Sequence, residues 1–279
     1  MMKKITTILF VLSSVVMLSC SSDDDNGGGQ KKEGGTGQIE IQAYTDATNY
    51  DVAFFARTDE ISIDWGGGAK QDFSPDGEKL SFPFTYSTSA LQEISVVAKN
   101  LTEWSNTFAD TINYHSASYF KSVAFDNCND LRVLNITHNP TLTDLDVSGC
   151  SSLITLMCSY NNQLATLNLS QNADLTTLFC SGNAFTYLDV SNNKKLKTLI
   201  CSYNYGLIGI DVRENTDLVN VDFRNNRFNS TAINFILNSL PTRQLSDSAS
   251  IYIYGNPGVS DTVIPVVKTI AESKGWRVY

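Results

Sequence analysis

The sequence is poor in the residues that most catalytic and nucleic-acid-binding sites use. It has two histidines, His115 and His138, and neither lies near a plausible nucleophile or a second metal ligand in the sequence. Its 20 basic residues are scattered and outnumbered by 29 acidic ones, so it lacks the basic surface that nucleic acid requires. It also has no metal-binding motif, nucleophile–base pair or phosphate-binding glycine loop. We therefore expect no enzymatic activity, no cofactor, no metal site and no nucleic-acid partner.

The N-terminal apolar run is too short to span a membrane. It extends from Ile5 to Leu18, about 14 residues, whereas a spanning helix needs about 20. Two lysines precede the run and the letters MLSC end at Cys20, which predicts a signal peptide over residues 1–19. MLSC resembles a bacterial lipobox, which implies cleavage before Cys20 and a lipid on its thiol. An ordinary signal peptide followed by an unmodified cysteine is the alternative.

Residues 20–37 are predicted to form a flexible tether. After Cys20 they read SSDDDNGGGQKKEGGTG, which contains no apolar side chain that could offset the entropy of ordering. The letters SSDDD directly after the cysteine resemble the acidic export signal of Bacteroidota-type surface lipoproteins. The resemblance implies a lipid anchor in the outer membrane, exposure on the cell surface and membrane contact only through the N-terminal lipid. A solvated acidic tether without an export role, and a periplasmic location, remain alternatives.

Residues 38–118 are predicted to form a small antiparallel β-sandwich. Turn residues separate five apolar runs, QIEIQAYT, YDVAFFART, EISIDWGG, KLSFPFTY and QEISVVAK. Asp64 to Gly68 reads DWGGG, and Tyr86 follows it. This pattern resembles the "DWGDG … Y" signature of polycystic-kidney-disease-like domains. Gly67 stands where the family has a second aspartate, so the turn network of the family is only partly supported.

An apolar residue recurs about every eleven positions from Phe120 to Leu218. Ten consecutive units have the form LxxLxLxxN, which is the pattern of leucine-rich repeats. Two kinds of unit alternate, one with L-x-C-S and one with L-D-V-S, so the full repeat has 21 to 22 residues. These repeats resemble the cysteine-bearing repeats of internalin-type adhesins and of surface leucine-rich lipoproteins. We expect a solenoid of about five turns over residues 119–229.

A single turn cannot fold alone, so both ends of the solenoid need a cap. Six inward side chains contribute about 1.5–3 kcal/mol each, whereas ordering one turn costs about 33 kcal/mol. The sandwich should cap the first turn. Residues 230–279 should cap the last, with a helix at Thr231–Leu240, a strand at Ser250–Tyr254, a helix near 261–274 and a strand at Trp276–Tyr279. The predicted fold class is thus mainly β with some α: sandwich, solenoid and αβ cap.

The repeat cysteines and asparagines are predicted to be structural. Cys158, Cys180 and Cys201 occupy inward positions on successive turns, where they should form a ladder of buried free thiols. Parallel side chains neither converge on a metal nor turn toward one another as a disulfide requires. Asparagines recur at the ninth position, where Cys128 and Cys150 replace two of them, and should bond turn backbone. A column of Asp146, Asn168, Asp189 and Asp211 is either a solvated polar face or a site that binds a cation.

The best candidate site is the outward face of the cysteine-bearing units. On three adjacent turns, Met157, Phe179 and Ile200 should form an apolar stripe between polar residues, as interaction surfaces do. The candidate ligand-binding residues are Thr155, Met157, Ser159, Tyr160, Thr177, Phe179, Ser181, Thr198, Ile200, Ser202, Tyr203, Asp222 and Arg224. Two alternatives to a ligand-binding role remain. These residues reflect only the preference of such side chains for strands, or another part of the chain covers them.

The expected partner is an unidentified protein or glycan, bound in adhesion or recognition. The second hypothesis is a carbohydrate-capture component of a polysaccharide uptake system. In that role Tyr160, Phe179 and Tyr203 would stack on sugar rings.

Replacing Cys20 with alanine is expected to abolish lipid incorporation and to release the protein from the membrane fraction, because this thiol is the predicted attachment point. Metabolic labelling with an alkyne-tagged fatty acid, followed by fractionation, measures both effects. The control Ser22→Ala should leave both unchanged. Lipid labelling that persists in Cys20→Ala would contradict the lipobox assignment.

Overall fold

The computed structural model describes residues 35–45, 51–66, 70–86, 90–106 and 119–279. The predicted signal peptide, Cys20, most of the tether, Gly67, Gly68 and His115 lie outside the described residues. Residues 34–279 form one compact unit. The described part is mainly β with two α-helices, which confirms the predicted mainly β class. Within it, no helix is both long and apolar enough to cross a membrane.

The described elements form two sheets and two helices. The strands are β1 (Thr36–Thr45), β2 (Asp51–Arg57), β3 (Glu60–Asp64), β4 (Lys70–Phe73), β5 (Lys79–Thr85), β6 (Ala90–Lys99), β7 (Glu103–Ser105), β8 (Tyr119–Asp126), β9 (Val133–Asn135), β10 (Asp144–Asp146), β11 (Thr155–Met157), β12 (Thr177–Phe179), β13 (Thr198–Ile200), β14 (Asn220–Asp222), β15 (Ser250–Tyr252) and β16 (Arg277–Val278). The helices are α1 (Ser230–Ser239) and α2 (Ile264–Ser273). One sheet has the order β10-β8-β1-β6-β3-β4, and the other has the order β16-β15-β14-β13-β12-β11-β9-β7-β2-β5.

Aromatic rings from both sheets form the N-terminal core. Phe54 on β2 stacks on Trp104 on β7, with 5.7 Å between ring centroids. The edge of Trp104 in turn meets Phe125 on β8 of the other sheet at 5.5 Å. All three side chains are buried. Because large aromatic side chains bury the most apolar area per residue, these contacts hold the two sheets together.

The first of the ten predicted repeat units belongs to the N-terminal sheet. This unit starts at Phe120, but β8 pairs antiparallel with β1 over most of its length. On its other side β8 pairs in parallel with β10, with Ser122 opposite Asp144. Strand β8 has eight residues, whereas the later repeat strands have three. Its length lets it pair with β1 on one side and with β10 on the other. The sequence pattern did not reveal the antiparallel partner, because the alternation in β8 fits the repeat spacing as well as a strand of the N-terminal sheet.

Both sheets therefore continue from the N-terminal part into the repeats. Strand β7, which the sequence did not predict, pairs antiparallel with β2 and in parallel with β9. Trp104 lies opposite Leu134 in this second pairing. The first repeat strand thus finds its backbone partners in the N-terminal part, as a cap requires.

The repeat strands are parallel and in register. Thr155 lies opposite Thr177, and Thr177 lies opposite Thr198. The central residue of each strand is fully buried: Leu134, Leu156, Leu178, Leu199 and Val221. A left-handed residue follows soon after each strand, at Tyr160, Gly182 and Tyr203. This conformation bends the chain, which explains why the strands end after three residues.

Buried asparagines connect successive turns, as predicted. The Nδ2 of Asn161 donates to the carbonyl oxygens of Ile136 at 2.8 Å and Cys158 at 2.9 Å. Its Oδ1 accepts the backbone N–H of Asn139 at 2.8 Å. Corresponding bonds to turn carbonyls are made by Asn183, Asn204, Asn226 and Asn256. Each amide satisfies backbone groups of two turns that would otherwise be buried without partners.

The C-terminal segment extends the same sheet. In β15, Ser250 lies opposite Asn220, and β16 pairs with β15. Helix α1 begins one residue before the predicted start, because the Asn229 side chain caps it by accepting the Ala232 N–H at 2.9 Å. Helix α2 and both strands are shorter than predicted. Trp276 is buried, and its Nε1 donates to the Pro241 carbonyl oxygen at 2.7 Å.

Replacing Asn161 with alanine is expected to lower the free energy of unfolding by about 3 kcal/mol, because it leaves buried backbone groups of two turns without partners. Urea denaturation measures the change. Asn162, the next residue, is exposed, so the control Asn162→Ala should change the value by less than about 0.5 kcal/mol. Equal effects of the two substitutions would be inconsistent with a structural ladder.

Candidate ligand-binding face

Strands β11, β12 and β13 present two parallel rows of side chains, which we call the sheet face. One row consists of Thr155, Thr177 and Thr198, and the other of Met157, Phe179 and Ile200. All six residues are half-buried. Neighbouring strands lie about 4.8 Å apart, so each row places equivalent side chains in contact. The structure therefore brings these six predicted residues together on one surface.

Polar residues bound the apolar row at both ends. Asn135 lies opposite Met157 on one side. On the other side Asp222 follows Ile200, and Tyr252 follows Asp222. The apolar surface therefore spans three strands and is bordered by groups that can hydrogen-bond.

The prediction that Ser159, Ser181 and Ser202 face solvent is wrong. They are 8%, 4% and 4% exposed, respectively. The Ser159 Oγ accepts the Ser181 N–H at 3.1 Å, and the hydroxyls of Ser181 and Ser202 are 2.9 Å apart. The alternation of inward and outward side chains ends at the cysteine before each serine. The serines therefore lie inside the bend and bond neighbouring turns. They support the sheet face and do not line it.

Asp222 is also buried, contrary to the prediction, because it caps a turn and pairs with Arg224. Its side chain accepts the backbone N–H of Arg224 at 3.0 Å, and an Nη2–Oδ2 contact of 2.6 Å completes an ion pair. The hydrogen bond to Asp222 raises the pKa of Arg224. The Arg224 guanidinium also lies 5.0 Å from the ring centre of Tyr252. Arg224 is the member of the pair that remains within reach of a ligand.

The predicted tyrosines lie at the edge of the sheet face. Tyr160 and Tyr203 occupy the left-handed corners of their turns and are 48% and 36% exposed. His138 occupies the same corner one turn earlier and stacks on Tyr160 at 4.7 Å. Burial lowers the pKa of His138. The rings therefore flank the two rows and do not belong to them.

Sequence reasoning also missed Tyr205, Tyr252 and Tyr279. Tyr205 is 71% exposed and contacts Tyr203 edge-to-face, with ring centroids 6.2 Å apart. Tyr252 and Tyr279 stack at 5.0 Å beside Arg224. Tyr205 directly follows Asn204, one of the buried asparagines, so its place at a turn could have been recognised in the sequence. No signal in the sequence linked Tyr252 to Tyr279, because their strands meet only in the folded cap.

The prediction of buried free thiols is confirmed for the repeat cysteines. Cys158, Cys180 and Cys201 are unpaired and fully buried. Burial raises the pKa of Cys158 to about 12 and also raises the pKa of Cys180 well above its ordinary value. Thiolates, the form that ligates metals and attacks electrophiles, are thus suppressed at neutral pH. Cys128 and Cys150 are also buried and unpaired.

The side chains of the predicted aspartate column are engaged in local hydrogen bonds. In the predicted aspartate column, Oδ1 of Asp189 accepts the Ser191 N–H at 2.9 Å, which lowers its pKa. Asp146, Asn168 and Asp211 each bond the residue two positions on in the same way. Among all described residues, no group of three His, Cys, Asp or Glu side chains could hold a metal ion.

No protein-family model matches the chain, and no curated protein matches it. Solved structures do. The functional domain of InlJ from Listeria monocytogenes, which includes a cysteine ladder, is 22% identical with a TM-score of 0.30, over 54% of this chain and 46% of that one. A leucine-rich-repeat protein of Leptospira interrogans is 13% identical with a TM-score of 0.34, over 55% and 49%. The chain thus spans about half the length of these leucine-rich-repeat neighbours. At these TM-scores the likeness carries no argument about ligands.

The free energy of unfolding is expected to fall as pH rises from about 9 to about 12. In this window the thiols of the unfolded chain have lost their protons, whereas the buried thiols of the folded protein keep theirs. Rising pH therefore stabilises the unfolded state relative to the folded state. Each such thiol contributes a slope of about 1.4 kcal/mol per pH unit. Denaturation at several pH values should show Cys158→Ala with a slope shallower by about that amount. The same slope in both proteins would show that Cys158 is accessible.

Proposed function

We propose that the protein is a non-catalytic binding protein that recognises a protein or glycan through the sheet face. The observation that carries the proposal is the half-buried apolar row of Met157, Phe179 and Ile200 on three registered strands. Apolar side chains bordered by polar groups are typical of interaction surfaces.

The support beneath the sheet face favours tight recognition. Behind the row lie the fully buried Leu156, Leu178 and Leu199, and the serine and asparagine bonds fix the bends that follow. A surface held this rigidly loses little conformational entropy on binding. Interface energy concentrates in a few central side chains, and Phe179 is the central and largest member of the row. We therefore assign it the main contribution to binding.

Carbohydrate capture is the second candidate function. The exposed rings at the edge of the sheet face, Tyr160 and Tyr203, favour it, because an aromatic ring offers an apolar face and a polar hydroxyl together. In this role the protein would retain a polysaccharide for uptake by other proteins, again without catalysis.

The proposal includes display on the cell surface. The lipobox-like letters before Cys20 and the acidic run after it support a lipid anchor in the outer membrane, with the tether carrying the folded part outward. Protease treatment of intact cells tests display, and an undigested protein would contradict it.

A polycystic-kidney-disease-like origin of the N-terminal part is supported by two contacts of the motif. The Tyr86 hydroxyl donates to the Trp65 carbonyl oxygen at 2.7 Å, and Asp64 accepts the Gly66 N–H at 2.9 Å.

Replacing Phe179 and Met157 together with alanine is expected to weaken ligand binding at least about 30-fold, because hot-spot truncations cost about 2 kcal/mol or more. Ligands would be found on paired arrays of purified extracellular proteins and of glycans, and affinities measured by biolayer interferometry.

The matched control is Ile208→Ala. Ile208 is 64% exposed and lies outside the sheet face, so its loss should leave affinity unchanged. Equal binding by the double variant and the unmodified protein would remove the sheet face as the site. An absence of ligands on both arrays would contradict the recognition function itself.

A further inference from the structure

The two rows of the sheet face continue past β13 onto the last strands of the sheet, where their chemistry changes. The apolar row ends at Ile200, and Asp222 and Tyr252 take the same position on the next two strands. Tyr279 follows β16 and stacks on Tyr252, with 5.0 Å between ring centroids. The threonine row continues with Asn220, Ser250 and Arg277. The surface therefore passes from apolar side chains to hydroxyl, amide and guanidinium groups.

Arg224 places its guanidinium at this end of the sheet face. In the repeat it corresponds to Ser202, since the N–H of Tyr203 donates to the Arg224 carbonyl oxygen as that of Gly182 donates to the Ser202 carbonyl oxygen. The guanidinium bonds back to Asp222, with Nε donating to Oδ1 at 2.9 Å and Nη2 donating to Oδ2 at 2.6 Å. Asp222 and the ring of Tyr252 thus fix its orientation from two sides.

A second Asp-x-Arg pair shows what is particular to this one. Arg213 bonds Asp211 through the same two nitrogens, but the two side chains are 65% and 48% exposed. The side chains of Arg224 and Asp222 are only 26% and 7% exposed. Among the described residues, no acceptor contacts the Nη1 of Arg224. A ligand would therefore meet the outer edge of the guanidinium, with the carboxylate covered behind it.

Basic side chains predominate at this end, although the chain has a formal charge of −9. Arg224 and the exposed Arg277 stand against the single carboxylate of Asp222. The apolar row on β11 to β13 carries no charge. Guanidinium groups form paired, charge-assisted hydrogen bonds with carboxylates. A ligand that covers both parts of the surface should therefore be apolar at one end and acidic at the other.

We propose that the ligand of the sheet face is a protein segment in which an acidic side chain lies three or four residues from an apolar one. The inference rests on the proposed binding function and specifies the chemistry of the ligand. Phe179 lies two to three strands from Arg224 and Tyr252, about 10 to 14 Å at the usual strand spacing. An extended peptide covers this distance in three or four residues. A polyuronate has carboxylates but no apolar side chains to cover Phe179, so the surface favours a peptide.

The test is fluorescence polarisation of the folded protein with labelled peptides. Each peptide contains Leu-Phe-Leu and one Glu, placed two to eight positions from the Phe on either side, with Gly and Ser elsewhere. Each has a twin with Gln in place of Glu. A Glu three or four positions from the Phe should improve affinity about fivefold or more over the twin. At the more distant positions the difference should be less than about twofold.

A double variant and a matched control assign this preference to Arg224. Arg224→Gln with Asp222→Asn removes the guanidinium without leaving a buried carboxylate unpaired. It should abolish the preference for Glu and bind the Gln twin within about twofold of the unmodified protein, whereas a merely structural role would weaken both twins alike. Arg213→Gln should keep the preference, because the Arg213 guanidinium lies over Phe235 of α1.

The outcomes separate this inference from the proposed function. Equal binding of Glu and Gln twins, or a preference for Glu that persists in the double variant, would overturn the inference and leave the apolar row as a binding site. Binding of none of the peptides, or binding of polygalacturonate in their place, would overturn the peptide assignment. The proposed function itself is decided by the arrays of extracellular proteins and glycans.

Discussion

Hydrogen bonding between successive turns is the constraint on which the structure depends. Each turn bends sharply, so its corners contain backbone groups that its own strand cannot satisfy. The neighbouring turn supplies the partners, through strand pairing and through amides such as Asn161, which bonds the backbone of two turns. Because the bonds run from turn to turn, they need a structured neighbour at each end. Strand β7 supplies it at one end and strand β15 at the other.

This constraint also explains why different residue types occupy the inward positions, the bends and the outward positions of the repeats. Inward positions are filled by leucine and by small thiols such as Cys180, whose burial keeps them protonated and inert. Serine and asparagine occupy the bends. Their side chains are buried there because they form hydrogen bonds to neighbouring turns. Variation is left to the outward strand positions and the corners. Phe179, in the proposed binding site, occupies one of the outward strand positions.

The period of the sequence predicted the inward positions well, because the spacing of leucines reflects burial directly. It failed where local geometry overrides alternation. Ser181 follows an inward cysteine and would face outward in a longer strand, but the bend at Gly182 turns it inward. Asp222 was predicted as an exposed group, and its pairing with Arg224 depends on a turn that the pattern does not encode.

The continuity of hydrogen bonding from end to end can be measured directly. Trp104 and Trp276 are buried near opposite ends of the ten-stranded sheet, on β7 and just before β16. In two variants that keep only Trp104 or only Trp276 of the three tryptophans, urea unfolding followed by fluorescence and by circular dichroism should give coincident transitions within each variant. Two separate midpoints would show that the N-terminal part and the cap unfold independently, and would contradict the account of turns that stand only because their neighbours do.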